Sequence, residues 1–157
     1  MLMDKRGLIR VRISNLVAHE RTNSEFKQIH MNSFVRTGHL KKPIVVHKIK
    51  HNDKYLILDG HHRAEALKEL GYAYIIARRI DYFSPEFRVK SWRSATKEWD
   101  KNEIIARALS GKLMRPKSTR HVVVERGREI RFGNHIRLTP IINYPIAALR
   151  EKGHKKV

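Results

Sequence analysis

The sequence predicts an α+β fold, in which a small mixed β-sheet is flanked by helices. Short apolar and β-branched runs alternate along the chain with segments of helical periodicity. One apolar run, residues 55–58, leads directly into a short helical segment that ends at Gly71. Asn52 and Asp53 form a turn between this run and the preceding one, so we expect the two strands to make a hairpin.

The individual elements follow from local patterns. Strands are predicted where apolar and β-branched residues alternate or run together, over residues 8–13, 44–49, 54–58, 73–80 and 122–124. Helices are predicted where apolar residues share one face and a glycine follows, over residues 23–35 before Gly38, 61–70 before Gly71 and 104–109 before Gly111. A turn is expected at Ser84 and Pro85, and the segment after about residue 125 is harder to place.

Length and composition limit the class of protein. The 157 residues fit a single domain, with a core at about 8–125 and a C-terminal extension at about 126–157. No apolar run approaches the roughly 18 residues of a spanning helix, and the N-terminus lacks the apolar core of a signal peptide. We therefore expect a cytoplasmic protein with no membrane partner. The absence of cysteine excludes disulfides, thiolate catalysis and thiolate metal sites.

The formal net charge of +19 indicates a polyanionic or phosphorylated partner. Basic residues are spread along the whole chain, and only the tail, residues 150–156, forms a small cluster, as solvated chain ends commonly do. Charge alone therefore does not separate a nucleic-acid-binding protein from an enzyme that acts on phosphorylated substrates.

A candidate phosphate site follows the predicted strand at 55–58. It consists of an acid, a glycine, two histidines and an arginine in unbroken order, namely Asp59, Gly60, His61, His62 and Arg63. The free N–H groups and positive dipole end of the following helix would face an anion here. Arg63 can grip phosphate oxygens with two parallel hydrogen bonds, and the histidines can donate as well.

A second basic segment has similar chemistry. Its two cations, two hydroxyls and imidazole suit a phosphate or a ribose, and they are Lys117, Ser118, Thr119, Arg120 and His121. We interpret it as a loop between Pro116 and a valine-rich strand. It contributes to the first site only if it folds against residues 59–63.

These motifs together resemble the ParB/sulfiredoxin-like fold and, within it, the archaeal free L-serine kinases. The resemblance covers roughly residues 15 to 125. It runs in the same order through His19-Glu20, Lys42-Pro43, residues 55–63, Asp81-Tyr82-Phe83, Trp92 and residues 116–121.

The resemblance implies an enzyme that phosphorylates free L-serine to O-phospho-L-serine with an adenine nucleotide, ATP or ADP, and Mg²⁺. Glu20 would be the general base. The nucleotide would be bound by Gly60, His61, His62 and Arg63 together with Lys117, Ser118, Thr119, Arg120 and His121. Serine would contact Trp92, Thr119, Arg120 and His121. Asp59, beside the phosphates, is placed at the catalytic centre to hold Mg²⁺ through water or to orient the histidines.

The main alternative is a DNA-associated member of the same fold, either a ParB-like nucleotide switch or a nuclease, which the net charge favours. Against it, such partitioning proteins continue into a helix-turn-helix region, for which the residues after about 125 are too short and too poorly periodic. They also tend to have Glu-Arg-Arg after the glycine, where this chain has His61-His62-Arg63. A nuclease with His61 and His62 as metal ligands is disfavoured because adjacent helical residues point apart. Sulfiredoxin chemistry requires a cysteine, which the chain lacks. The choice between ATP and ADP as phosphoryl donor stays open, because the stretch between Trp92 and Thr119 is shorter than in the archaeal free L-serine kinases.

Overall fold

A computed structural model describes residues 7–92, 94, 96–116 and 118–151. The strands are β1 (Leu8–Arg12), β2 (Leu16–Val17), β3 (His39–Leu40), β4 (Ile44–Lys48), β5 (Tyr55–Asp59), β6 (Tyr74–Ile80), β7 (Phe87–Ser91), β8 (Thr119–Glu125), β9 (Arg128–Arg131) and β10 (Tyr144–Pro145). The helices are α1 (Ser24–Thr37), α2 (His61–Glu69) and α3 (Lys101–Ser110), with 3₁₀ turns at Ile13–Asn15, Phe132–Asn134 and Ile146–Leu149.

The main sheet is mixed, as predicted. Its strand order is β1-β6-β4-β5-β2, in which β4 pairs antiparallel with β5 and parallel with β6. The expected hairpin over residues 44–58 is therefore confirmed. A second, antiparallel sheet consists of β7, β8 and β9, and β3 pairs with β10. The predicted α+β fold class is confirmed.

The main sheet is buried on both faces. Alternate residues of β4 and β5 enter two separate cores: Val46 and Ile57 lie in one, whereas Val45 and Leu56 lie in the other. Burial on both faces explains why these strands are continuous apolar runs. No helix in the described part of the chain is long and apolar enough to cross a bilayer.

Within the described residues, α1 and α3 end at the glycines that the sequence indicates, and each begins after a polar capping residue. The Asn23 side chain accepts hydrogen bonds from the first turn of α1, and Asp100 caps α3 in the same way. Gly38 and Gly111 end these helices in the left-handed conformation. The helix α2 differs because Gly60 stands at its N-cap and provides no side-chain cap.

One region differs from the sequence-based expectation, and the structure places a second region whose sequence pattern is unclear. Residues 119–121 belong to strand β8 and are not part of a loop, because Thr119 to Val123 pair with β7. Residues beyond 125 also contribute to the cores, since Ile146 and Leu149 are buried and the Ala73 N–H donates to the Leu149 carbonyl (3.0 Å). The proposed division into a core and a C-terminal extension stays a prediction.

Gly60 makes the closest approach between β4 and the β5–α2 connection. Its φ is +103°, and a Cβ atom there would lie 2.3 Å from Cγ2 of Ile44, which is fully buried. Both the backbone conformation and the available space therefore require glycine at this position.

We predict that Gly60→Ala lowers the free energy of unfolding by about 2–4 kcal/mol, because steric overlap adds to the strain of a left-handed alanine. Urea unfolding followed by circular dichroism measures this change. Gly111→Ala is the matched control, since its φ is +76° and nothing lies within 4 Å of the added Cβ. An equal loss in the two variants would contradict the steric explanation.

Candidate active site

A cleft of about 400 Å³ lies where the β5–α2 turn faces the second sheet. Residues from both of the basic segments identified in the sequence line it. The lining residues are Glu20, His30, Leu58, Asp59, Gly60, His61, His62, Arg63, Trp92, Thr119, Arg120, His121, Arg131, Phe132 and Gly133. The structure thus brings residues 59–63 together with Thr119, Arg120 and His121.

The first turn of α2 forms one wall of the cleft. The first hydrogen bond within α2 runs from the Ala64 N–H to the Gly60 carbonyl (3.0 Å), so the preceding N–H groups have no partner inside the helix. The Arg63 guanidinium donates to the Pro43 carbonyl (3.0 Å) and to Oδ2 of Asp59 (3.3 Å). This wall offers backbone donors, a helix dipole and a positioned cation to an anion.

Thr119 holds the Glu20 carboxylate in place. Oε2 of Glu20 accepts hydrogen bonds from the Thr119 N–H (2.8 Å) and from the Thr119 hydroxyl (2.5 Å). Backbone hydrogen bonds from Met114 N–H to the His19 carbonyl and from Arg21 N–H to the Met114 carbonyl, both 2.8 Å, fix the segment around Glu20. A carboxylate is therefore positioned in the cleft wall that faces α2.

The hydrogen bonds define the proton position on one of the buried histidines, His19. Because the Thr119 hydroxyl donates to Glu20, it accepts from Nε2 of His19 (3.0 Å). Nε2 of His121 and the Tyr82 hydroxyl share a hydrogen bond (2.8 Å), and burial raises the pKa of that tyrosine. His19 therefore carries its proton on Nε2.

Burial keeps the imidazoles of His19, His61 and His121 neutral. It lowers the pKa of His61 to about 3 and lowers the pKa values of His19 and His121 well below 6.5. The rings of His61 and His121 each contact that of His19 edge to face, with centroid separations of 4.7 and 5.4 Å. Positive charge at the cleft thus comes from arginines, and His61 can offer a neutral N–H donor.

Two arginines flank the Trp92 ring at the other side of the cleft. The guanidinium carbons of Arg120 and Arg131 lie 5.4 and 5.2 Å from the ring centroid, and the indole is 46% exposed. The indole and its two cations form a flat wall that can contact a bound molecule.

Comparison with known proteins identifies the family. Residues 4–86 match the family described as the ParB N-terminal domain, and this match covers more than half of the chain. The chain belongs to the ParB N-terminal domain family.

Curated relatives of this ParB-domain chain include L-serine kinases. It is 40% identical over 83 residues to the ATP-dependent L-serine kinase of Desulfurococcus mucosus, an alignment that covers 52% of this chain and 32% of that protein. It is 32% identical over 97 residues to the ADP-dependent L-serine kinase SerK of Thermococcus kodakarensis, and this alignment covers 62% of this chain and 40% of that protein. The chain spans less than half the length of these relatives.

Solved structures share the fold of this ParB-domain chain. A free serine kinase in complex with AMP superposes with a TM-score of 0.74 at 16% identity, and the match covers 94% of this chain and 95% of the other. SbnI with a C-terminal truncation, from Staphylococcus aureus, gives a TM-score of 0.68 at 14% identity, with 94% and 90% covered. These two structures thus share their fold with this chain along almost its whole length.

The other predicted site residues differ in position. Ser118 does not line the cleft; it points to the opposite side of its segment, where its hydroxyl donates to the Arg115 carbonyl (2.6 Å). Nε2 of His62 accepts from the Asn23 N–H (2.9 Å) and so also anchors the start of α1. Lys117 lies outside the described residues.

Sequence reasoning missed the segment Arg131-Phe132-Gly133, which closes the cleft beside Asp59. The Lys42 ammonium donates to the Gly133 carbonyl (3.1 Å), and Phe132 packs on His121. An Arg-Phe-Gly sequence after a polar strand has no local signal for a site. Its role depends on the pairing of β8 with β9.

Asp59 fits a Mg²⁺ ion that is held mainly by phosphate oxygens. Its carboxylate lines the cleft at the N-terminus of α2, and its side chain is partly exposed. No cluster of three or more metal-ligating side chains exists within the described residues. This donor set suits Mg²⁺, which commonly binds through one or two carboxylates and substrate phosphates, and does not suit an all-protein metal site.

We predict that stability falls as the pH drops from 7 to 5. The folded-state pKa values of His19, His61 and His121 lie below the unfolded value near 6.5. Their contribution is therefore complete above pH 6.5 and is lost progressively below it, by up to about 1.4 kcal/mol per pH unit for each histidine. Urea unfolding at pH 7, 6 and 5 measures the slope.

His121→Gln should reduce this slope, whereas His51→Gln should leave it unchanged because His51 is exposed. A free energy of unfolding that stays constant from pH 7 to 5 would contradict the neutral state of the buried imidazoles.

Proposed function

We propose that the chain is a free L-serine kinase, which transfers a phosphoryl group from an adenine nucleotide to the serine hydroxyl and forms O-phospho-L-serine. One observation carries this proposal: a carboxylate, Glu20, stands in the same cleft as an anion-binding helix N-terminus. Phosphoryl transfer to an alcohol requires both groups close together. The curated L-serine kinases to which the chain is similar support the same reaction.

The phosphates of the nucleotide would bind at residues 60–63. The first-turn N–H groups of α2 and the Arg63 guanidinium supply donors and positive charge, and neutral His61 supplies one more N–H. Arg120 and Arg131 would neutralise charge on the transferred group from the opposite wall. Asp59 would hold Mg²⁺, which when bound neutralises phosphate charge and orients the oxygens.

Glu20 would act as the general base. Thr119 fixes Oε2 with two hydrogen bonds, which sets the orientation of the carboxylate toward the cleft. As the bond from the serine oxygen to phosphorus forms, the bond to the departing nucleotide oxygen breaks and the serine proton moves to Glu20. Neutral His19 supports this role through its hydrogen bond to Thr119.

Serine would bind between Trp92, Thr119, Arg120 and His121, all of which line the cleft near Glu20. The Arg120 guanidinium would also contact the serine carboxylate, because its several N–H donors can serve a phosphate oxygen and a carboxylate oxygen together. The indole of Trp92 would close the apolar side of the amino acid.

ATP is the donor that the comparisons favour. The ATP-dependent L-serine kinases of Desulfurococcus mucosus and Staphylothermus marinus are 40% and 48% identical to this chain in the aligned regions, whereas the ADP-dependent relative is 32% identical. We place this activity in the cytoplasm, where both substrates would be available.

Binding of DNA is the second candidate function, and the net charge of +19 together with the ParB family match supports it. A switch of the ParB type would also use the phosphate-binding turn at residues 60–63. It would have no need for a carboxylate positioned opposite that turn.

We expect the protein to form O-phospho-L-serine from serine, Mg²⁺ and ATP, with slower or no turnover of ADP. Product formation is followed by phosphorus NMR. In parallel, duplex DNA binding is measured across a salt series, where only weak and steeply salt-dependent binding is expected. Tight duplex binding without phosphoserine would support the DNA-binding alternative.

Two substitutions should separate chemistry from binding. Glu20→Gln should lower turnover by about 10² to 10⁴ with little change in nucleotide affinity, because the amide oxygen can still accept from Thr119 but takes up no proton. Arg63→Ala should weaken nucleotide binding by about 10- to 100-fold through the loss of charge-assisted hydrogen bonds. Turnover and calorimetric affinity are the two measurements.

Glu103→Gln on α3 and Arg36→Ala on α1 are matched controls, because both residues are exposed and neither lines the cleft. Retention of most activity by Glu20→Gln would show that another group accepts the proton.

A further inference from the structure

A second cavity, of about 410 Å³, lies directly behind the candidate active site. We call it the basic pocket, and its charged lining residues are Arg21, Lys97, Arg107 and Arg115. No carboxylate belongs to its lining within the residues that the structure describes. This concentration of positive charge has no counterpart in the function proposed above.

Trp99 lines the pocket and contacts two of its cations through its ring. Its Nε1 atom is buried and has no hydrogen-bond partner among the described residues. The Lys97 ammonium lies 4.2 Å from the ring centroid, and the Arg107 guanidinium carbon lies 5.9 Å from it. The ring therefore holds two cations at the pocket through cation–π contacts.

The pocket cations are largely without acidic partners. Arg107 lies 3.6 Å from Glu103, its neighbour one turn away on α3. Within the described part of the chain, the observed ion pairs involve none of Arg21, Lys97 and Arg115. The Ser118 hydroxyl donates to the Arg115 carbonyl (2.6 Å) and so stabilises the segment that carries Arg115. The pocket thus combines fixed backbone with uncompensated positive charge.

The pocket and the cleft share their walls. Glu20 and Thr119 line the cleft, whereas their chain neighbours Arg21 and Ser118 line the basic pocket. Extended backbone explains this arrangement, because successive side chains point to opposite sides. An occupant of the basic pocket would contact the same backbone segments that position Glu20.

We propose that the basic pocket binds the phosphate group of a small molecule. Phosphate matches the lining because its oxygens accept from several guanidinium and ammonium groups at once. The cavity has the volume typical of small-ligand sites. The proposal rests on the geometry of this pocket and is independent of the kinase reaction.

The two tryptophans of the chain allow each cavity to be observed separately. Trp92 lines the cleft and Trp99 lines the basic pocket, and the sequence contains no other tryptophan. The variant Trp92→Phe therefore retains Trp99 as its single indole fluorophore. Inorganic phosphate and glycerol 3-phosphate are titrated into this variant at constant ionic strength, with chloride as the reference anion.

We expect a saturable change in Trp99 emission with half-saturation below about 1 mM. Adding Arg115→Ala should raise the half-saturation concentration at least tenfold, and Lys97→Ala provides an independent second variant. Adding Arg63→Ala should leave the Trp99 signal unchanged, because Arg63 lines only the cleft. Stronger binding of the ester than of inorganic phosphate would identify a phosphorylated metabolite as the occupant.

Circular dichroism melting verifies that each variant is folded, and the exposed Arg36→Ala serves as the charge-matched control. The proposal is overturned if phosphate gives no saturable signal, if chloride gives the same signal, or if Arg63→Ala abolishes it while Arg115→Ala does not. Duplex DNA is titrated into the same variant, and the proposal is also overturned if DNA changes the emission of Trp99 whereas neither phosphate compound does.

Discussion

The absence of a side chain at Gly60 is the constraint on which the cleft depends. The buried Ile44 occupies the space that a Cβ atom would need, so the chain passes from β5 into α2 only with glycine at the connection. This close passage sets the first turn of α2 against β4, where Arg63 bonds to the Pro43 carbonyl. The geometry of this wall of the cleft is therefore a direct consequence of how tightly the sheet and helix pack.

The second requirement is a contact between distant parts of the chain. Glu20 and His19 both bond to Thr119, which follows them by about a hundred residues in the chain. The first two residues belong to the ParB N-terminal domain match, and Thr119 belongs to the sheet that follows it. The proposed site in this chain therefore combines the turn at residues 59–63, which lies in the family match, with groups from the sheet that follows it.

Local patterns predicted much of the fold because its boundaries are set by local chemistry. Asn23 and Gly38 determine the ends of α1 through short-range hydrogen bonds and a left-handed backbone, and both effects are visible in sequence. The strand at 119–121 was missed because polar residues acquire their strand conformation from pairing with β7. Arg131 was missed for a related reason, since its place in the cleft follows from long-range packing and the local sequence gives no sign of it.

The neutral histidines of the cleft have a consequence for how a phosphorylated compound is recognised. Buried imidazoles that stay uncharged near pH 7, next to guanidinium groups that are always protonated, keep this part of the cleft electrostatically constant under physiological conditions. Any acid dependence of recognition that involves these groups then reflects ionisation of the guest's own phosphate oxygens, whose second dissociation falls near pH 6 in phosphate monoesters. The charge of these groups would then stay the same over the pH range in which a phosphate monoester gains or loses its second negative charge.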